Sequence, residues 1–483
     1  MSETLQSITI EEELLRTVGS IADREKAEAY VVGGYVRDTI LGRPLKDLDI
    51  LVVGDAIGFA GIVARHFGRK KIVTFEKFGT AMLPLEGTNI EFVGAREESY
   101  EPDSRKPVVR RATLESDLSR RDFTFNALAA SINAGSFGKV VDPYGGYADL
   151  RAGIIRTPLP PERTFDDDPL RMLRAIRFAS QLTDRTLGRR FVIRDDTFQA
   201  IRATAGRLSI VSMERITDEF LKILGSPRPS IGLKLLHDAG LAKLVFPELV
   251  EMVGVEQRKE YHHKDVFLHT LKVVDNIAET TDDLWLRFAG LAHDIAKPRT
   301  KAFREGVGWT FHGHEDLGAR MMKSIFRRMR LPMEKLPYVE KLIRLHLRPM
   351  VLVSEEVTDS AVRRMMFEAG ADVDDLMLLC RADITSQNPD RVARYMKNYD
   401  IVLQKMVEVE EKDRIRNWQP PVRGEEIMRV CNIPPGPMVG VLKTRIEEAI
   451  LDGQIPNEHD AALAFLMQIK DENNSEIDRK SGR

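Results

Sequence analysis

Apolar and polar positions alternate in two different ways along the chain, and the change comes near residue 165. Roughly the first 25 residues read as a polar amphipathic helix. A strand-like run follows at Ala29 to Val32, then a Gly-Gly turn and a helical segment from Tyr35 to Leu41. A second apolar run, Leu48 to Val53, is β-rich, and segments 71–85 and 88–93 alternate well enough to predict two more strands. From Arg96 to Ser119 the sequence is polar, charged and Pro-containing, which predicts a long loop, and such a loop inside a compact domain is usually functional. Asp142-Pro143-Tyr144-Gly145-Gly146 is a turn cluster, and Thr157 to Arg163 (TPLPPER) reads as a hinge. Beyond Phe165 the spacing is helical at 167–182, 212–224, 230–243, 266–280, 284–297 and 315–330. The polar last dozen or so residues are expected to fray. The predicted class is α+β: a mixed sheet with helices in front, and helices alone behind.

At 483 residues the chain exceeds one core and suggests about three domains. A net charge of -2 and a pI near 6.6 exclude a general, salt-driven nucleic-acid binder but leave room for a local basic face. The two cysteines, Cys380 and Cys431, have no CxxC spacing, which fits a reduced cytosolic protein without a disulfide frame or cysteine zinc site. The acidic N-terminus has no signal-peptide pattern, and no apolar run approaches the ~18 residues of a membrane span. The expectation is a soluble, cytoplasmic protein that does not enter membranes.

Candidate chemistry begins with Gly33-Gly34-Tyr35-Val36-Arg37-Asp38, followed by Gly42 and by Lys46-Asp47-Leu48-Asp49-Ile50. A strand running into Gly-Gly and a helix exposes backbone N–H groups where phosphate is favoured, and Arg37 adds a cation in the first turn. Asp47 and Asp49, at i and i+2 of a strand, project from one face. Two adjacent carboxylates repel unless a divalent cation lies between them, a ligand set suited to Mg²⁺. Two such ions could sharpen an attacking hydroxyl and neutralise a leaving pyrophosphate, with Glu91 as a third carboxylate. Gly-Gly alone is an ordinary turn and Asp-x-Asp alone a solvated strand; together, about ten residues apart, they point to nucleotide chemistry.

These residues resemble the signature of the class II tRNA nucleotidyltransferase and bacterial poly(A) polymerase family. The resemblance continues through Asp117-Leu118-Ser119-Arg120-Arg121-Asp122-Phe123-Thr124-Phe125-Asn126-Ala127, the turn at Asp142, and Asp167-Asp168-Pro169-Leu170-Arg171-Met172-Leu173-Arg174-Ala175-Ile176-Arg177-Phe178, covering at least residues 30–225. It implies a helical neck that reads the incoming base. Asp168 can cap its helix, with Pro169 in the first turn and Arg171 on the same face. A carboxylate accepts from the exocyclic amino group of C or A, whereas G and U present an oxygen there; an Asp168/Arg171 pair could therefore admit C and A. On spacing alone the plainer reading is a charged helix N-terminus. Arg121, Arg174 and Arg177 would contact phosphates or brace the pocket, with Asp122 and Asn126 near the ribose 2′-hydroxyl. The family usually shows Glu where this chain has Asp167, which leaves the role of Asp167 open.

Seven of the ten histidines fall between His262 and His346, among them His269, His293 (followed by Asp294), His312, His314 and His346, with Asp383 further on. Imidazoles and a carboxylate converging from several helices suit Mn²⁺, Ni²⁺, Fe²⁺ or Zn²⁺. Their order resembles the HD phosphohydrolase superfamily. The resemblance implies that His269, His293, Asp294 and Asp383 hold one metal, and that His314 and His346 extend the site toward two metals able to activate water against a phosphate ester. From Val422 onward the chain reads as two helices joined at Pro434-Pro435-Gly436-Pro437, a packing domain that the resemblance brings to the tRNA elbow. Arg327, Arg328, Arg330 and Lys335 read more simply as a solvated helix surface than as a basic face.

The resulting division is an N-terminal helix at 1–27, a nucleotidyltransferase head at 28–157, a neck at 158–228, an HD-type domain at 229–400 and a helical tail at 401–483. The implied activity is untemplated addition of C, C and A to the tRNA acceptor end from CTP and ATP. Poly(A) polymerisation and metal-dependent phosphoester hydrolysis are the alternatives, and the sequence carries no sign of an oligomeric state.

Overall fold

Strand alternation at the front of the chain builds one mixed sheet. The computed structural model describes every residue except 1–4, 46–47, 100–107, 185–187, 257–264, 307, 355–357, 387, 414–419 and 482–483. Asp47, His262 and His263 therefore lie outside the described residues. The chain divides into two units, Met1–Val250 and Glu251–Arg483.

In the first unit, α1 (Glu13–Arg24) and β1 (Glu28–Val32) lead through Gly33 into α2 (Gly34–Leu41), then β2 (Leu48–Val53) and α3 (Ala56–His66). Next come β3 (Val73–Phe75), β4 (Thr80–Leu85) and β5 (Thr88–Gly94). The segment expected as one strand over 71–85 is broken by a turn at Glu76–Phe78, because Gly79 takes a positive φ of 60° that ends β3 and restarts the chain as β4. The seven-stranded sheet has the order β3-β4-β5-β2-β1-β8-β9, where β8 is Ala129–Ser131 and β9 is Val140–Val141. Only β2 and β5 run parallel; the other neighbours are antiparallel.

The pleat sorts the side chains. Ile50, Val52, Ala81, Leu83, Ile90 and Phe92 face Leu15, Val18, Phe59 and Val63 of α1 and α3 in one core, with Phe59 edge-on to Phe92 at 5.8 Å. On the other face Val32, Leu51 and Ala129 pack with Leu118 and Ala127. That face also carries Asp49 and Glu91, which are register partners on the parallel pair β2 and β5.

Of the stretch from Arg96 to Ser119, expected as one loop, residues 100–107 lie outside the described residues and the rest is mostly ordered in elements. Its ends form a hairpin, β6 (Arg96–Ser99) against β7 (Val108–Arg111), and then α4 (Leu114–Ser119), whose N-cap Thr113 accepts from the Ser116 N–H at 3.3 Å. Ladder hydrogen bonds and a cap supply order that the polar composition hides. The Pro-rich hinge is likewise half helical: Pro161 occupies the first turn of α6 (Pro161–Asp167), where a missing N–H costs nothing.

After α5 (Gly146–Ala152), β10 (Ile154–Ile155) and α6, the unit closes with α7 (Leu170–Gln181), β11 (Val192–Ile193), α8 (Asp195–Thr204), α9 (Met213–Leu224) and α10 (Pro229–Asp238).

Among the described residues the named elements of the second unit are helices and one hairpin, Ala302–Arg304 with Gly308–Thr310. Helices Val266–Ala278, Leu284–Ala292, His314–Arg328, Leu336–Leu345 and Val373–Asp383 bury Phe288, Phe326, Val339, Ile343 and Leu379. The helix expected to reach 297 stops at Ala292, just before His293. Val422, Ile427, Leu442, Ile446 and Leu466 form a separate cluster in the tail. The terminal residues expected to fray continue the helix His459–Ser481. Among the described residues no helix is long and apolar enough to cross a membrane.

The tightest backbone approach sets a test of this packing. A Cβ on Gly19 of α1 would lie 1.8 Å from the Ile132 carbonyl oxygen. Gly19→Ala should destabilise the first unit by about 2–3 kcal/mol, the scale of overpacking, seen as a drop of several degrees in its Tm. An unchanged Tm would refute the close approach.

Candidate functional site

The unit that carries Asp49 and Glu91 on its sheet also holds a chain of charged side chains centred on Asp122. Asp122 is 7% exposed. One of its oxygens accepts from the Phe123 N–H at 2.8 Å and from the Asn126 side-chain amide at 2.9 Å. The other accepts from Arg174 of α7, at 2.7 Å from Nε and 2.6 Å from the terminal nitrogen. The oxygen of the Asn126 amide accepts from Arg37 of α2 at 2.9 Å, and Arg37 also grips Asp38 with two bonds of 2.9 and 2.7 Å. Arg174 and Arg177 share Glu219 of α9, at 3.9 and 2.9 Å. The Phe178 ring lies against all three guanidinium groups, 5.1, 5.6 and 4.5 Å from Arg37, Arg174 and Arg177.

Burial alone would raise the Asp122 pKa, but Arg174, Asn126 and Arg171 overcome it and hold the carboxyl at about 2. At Glu219 burial prevails over Arg177 and Arg174, and its pKa rises. Arg174 is pushed up, chiefly by Asp122, whereas burial lowers Arg177.

Gly33 links this network to α2. It has φ +62°, and a Cβ there would meet the Arg121 guanidinium at 2.8 Å, so a side chain would be both strained and crowded. Arg121 and Arg120 are held by the buried carboxylate of Asp117, whose pKa is lowered because both guanidinium groups outweigh its burial. Arg171 donates to the main-chain oxygens of Arg120 at 2.7 Å and Thr164 at 3.4 Å. Asp168 accepts from the Leu170 N–H at 3.2 Å and pairs with Arg215 at 3.4 Å. The structure thus joins Arg37, Asp122, Asn126, Arg174 and Arg177 in one network, sets Arg121 over Gly33, pairs Asp49 with Glu91, and anchors Arg171 to backbone. Sequence reasoning missed Glu219 and Arg215. The available signal for Glu219 was a carboxylate on the apolar stripe Ile216, Phe220, Ile223 of α9.

In the second unit His269, His293 and Asp383 form one group, and Asp294, His314 and His346 another, each with its ligand atoms within 4.8 Å of one another. The Asp294 carboxylate lies between the groups, 3.2 Å from His293 and 3.3 Å from His314; His269 approaches Asp383 at 2.8 Å. The Nδ1 atoms of His293, His314 and His346 lie 2.7, 2.7 and 2.6 Å from the carbonyls of Gly290, Phe311 and Ile343. A carbonyl only accepts, so Nδ1 carries the proton and a neutral ring offers its Nε2 lone pair inward. The Nε2 of His293 and one oxygen of Asp294 are buried without a hydrogen-bond partner, which is what a cation-sized gap between ligands leaves behind. His312 is exposed and belongs to neither group. Burial opposes charge on His293, but Asp294 and Asp383 more than offset it and lift the pKa to about 10; burial, with His293 and His314 nearby, drops His346 to about 3.

Three family models match the chain: the poly A polymerase head domain over residues 29–156, the probable RNA and SrmB-binding site of polymerase A over 190–252, and the HD domain over 266–387. A multifunctional CCA protein of Methylococcus capsulatus is 37% identical over 330 residues, 66% of this chain and 72% of its own length. An A-adding tRNA nucleotidyltransferase of Deinococcus radiodurans is 31% identical over 454 residues, 92% of this chain and 96% of its own. The chain belongs to the tRNA nucleotidyltransferase and poly(A) polymerase family. The Bacillus stearothermophilus CCA-adding enzyme, crystallised with CTP, matches with a TM-score of 0.66 at 23% identity over 96% of this chain and 100% of that one, a likeness of fold.

In this tRNA nucleotidyltransferase family member the Asp122 network has a pH signature. Its folded pKa of about 2 lies below the usual carboxylate value near 3.9, so its contribution is complete above that value and is lost as pH falls from about 4 toward 2. The loss should amount to about 2–3 kcal/mol. Asp122→Asn should flatten that stretch of the acid-unfolding curve, and parallel curves for the two proteins would exclude the assignment.

Proposed function

We propose that the chain adds C, C and A to the 3′ end of tRNA without a template, consuming CTP and ATP and releasing pyrophosphate. The observation that carries this reading is the Asp122-centred cluster of guanidinium groups, in the same unit as the register-paired carboxylates Asp49 and Glu91, in a chain of this family. Asp49, with Asp47 and Glu91, is assigned to Mg²⁺; adjacent carboxylates on a sheet fit that hard cation. Bound there, the ions supply Lewis-acid stabilisation of the phosphoryl oxygens and of the attacking 3′-hydroxyl. Gly33 and Gly34 open α2 toward the triphosphate, and Arg37, Arg121, Arg174 and Arg177 present positive charge already oriented by their carboxylate partners. Asn126 and Asp122 are assigned to the ribose, and Asp168 with Arg171 to the base edge.

His269, His293, Asp294 and Asp383 are assigned to a transition-metal site, with His314 and His346 extending it around Asp294. The buried His293 Nε2 and Asp294 oxygen, which lack a hydrogen-bond partner and face neighbouring ligand atoms at 3.2–3.6 Å, support that fit. The ion could be Mn²⁺, Ni²⁺, Fe²⁺ or Zn²⁺, and the chemistry it supplies is activation of water against a phosphate ester.

The name of the Deinococcus relative, matched over 92% of this chain, favours one second reading: addition of A alone. Incubation with tRNA ending before CCA, offering CTP and ATP separately and together, tests both. The CCA reading expects two C and one A and then a stop. Addition of A only to tRNA already ending in CC selects the second reading, and an unbounded A tract selects poly(A) polymerisation. Asp49→Ala should lower addition about a thousandfold, the several kcal/mol of a lost metal ligand, while sparing metal in the second unit. His293→Ala should strip that metal, read by elemental analysis, and leave addition intact; full metal retention would remove the second assignment.

A further inference from the structure

The edge strand β3 runs in register with the carboxylates. Val73 pairs with Met82, Met82 with Glu91, and Glu91 with Asp49, so one row crosses four strands. Laterally paired residues project to the same side, which places Val73 and Phe75 on the face that carries Asp49 and Glu91. At about 4.8 Å per strand, Asp49 and Val73 are roughly 14 Å apart. The two halves of this face differ. Leu118 and Ala127 pack over its β2-β1-β8 half, whereas Glu91 and all of β3 are exposed.

Val73, Phe75 and Phe78 are 43%, 48% and 47% exposed, an apolar shelf on an otherwise polar surface. Phe78 lies in the turn between β3 and β4, and its carbonyl accepts from Arg96 at 2.7 Å. The shelf is edged with charge. Across residues 65–78 the cations Arg65, Arg69, Lys70, Lys71 and Lys77 face the single carboxylate of Glu76, five against one, and all six are exposed. The chain as a whole carries -2.

Exposed aromatic rings interleaved with cations form the surface that single-stranded nucleic acid uses, bases stacking on the rings and phosphates meeting the cations. We infer that this sheet edge is a stacking shelf for the terminal bases of the RNA being extended, with Phe75 and Phe78 beneath the bases and Lys70, Lys71 and Lys77 along the backbone. The inference rests on the nucleotidyltransferase reading and adds to it where the primer lies. Stacking suits that task because the terminal base changes with each addition. A site reading base edges would favour one step and obstruct the next, whereas every base offers a π-face.

The test uses the full chain and tRNA lacking its CCA end. Phe75→Ala/Phe78→Ala should raise the KM for RNA roughly 5- to 100-fold, with the KM for CTP and kcat at saturating RNA unchanged. Phe75→Tyr/Phe78→Tyr should restore the wild-type value. Lys70→Ala/Lys71→Ala should shallow the salt dependence of RNA binding, by about 0.7 in log–log slope for each phosphate no longer neutralised. Fluorescence anisotropy of labelled RNA without divalent cation reads binding apart from turnover. If the wild-type chain extends no RNA, the function proposed above falls, and the anisotropy still decides the shelf. Unchanged RNA KM and binding in the double alanine variant overturn the shelf alone. A shift in oligomeric state at unchanged RNA affinity assigns the surface to a second copy of the chain and overturns it equally.

Discussion

A carboxylate that is 7% exposed survives only if its neighbours supply what water would, and in the first unit that requirement falls on Asp122. It is met from three directions: a backbone N–H, the Asn126 amide and the Arg174 guanidinium. Breaking such a buried pair typically costs about 3–5 kcal/mol, far more than the pair itself contributes. The arrangement therefore specifies geometry more than it adds stability. It ties the turn at Asp122–Asn126 to α7, and through Asn126 it fixes Arg37 on α2. Three guanidinium groups can converge on Phe178 because Asp38, Asp122 and Glu219 alternate with them. An incoming polyphosphate would meet cations already oriented, without the entropic cost of gathering mobile side chains.

The second unit solves the opposite problem. Three of its imidazoles, His293, His314 and His346, are held by main-chain carbonyls on the outside, and imidazoles and carboxylates face one another on the inside. Burial opposes charge on His293 and His346 alike, yet the carboxylates draw His293 up while burial and the neighbouring rings push His346 down. Asp294 and the facing ring nitrogens would hold a divalent ion, which would supply positive charge to the carboxylates without a proton. One unit ties its charges together by guanidinium–carboxylate pairs, while the other gathers imidazoles around two carboxylates, one of them also paired with Lys297 at 2.7 Å.

Much of this was legible in the sequence because it was local. The period of two in Leu48–Val53 and 88–93 fixes which residues share a face, so Asp49 and Glu91 on one side follow from alternation once β2 and β5 pair. The order His269, His293-Asp294, His314, His346, Asp383 pointed to the same residues that converge in space. What escaped was long-range or hidden by composition. Glu219 looks like any charged residue of an amphipathic helix until α9 packs on α7 and brings it to Arg177. Arg171 reaches the carbonyl of a residue 51 positions away, which no spacing rule anticipates. The stretch 96–119 misled because its strands, Arg96–Ser99 and Val108–Arg111, are four residues each, too short to show alternation against a charged background.

The same pleat gives one sheet face two halves suited to partners of different kind. Asp49 stands on β2, at the margin of the half covered by Leu118 and Ala127, and Glu91 stands one strand further out, in the exposed half. On the covered side, groups that carry fixed hydrogen bonds can discriminate, because a wrongly placed atom would strand a partner already committed. On the exposed side, rings and flexible lysines tolerate whatever base arrives. An enzyme that extends RNA without a template needs selectivity toward the incoming nucleotide and indifference toward the end it extends. A sheet packed over half of one face and bare over the other would provide both, with the carboxylates assigned to Mg²⁺ on the line between them.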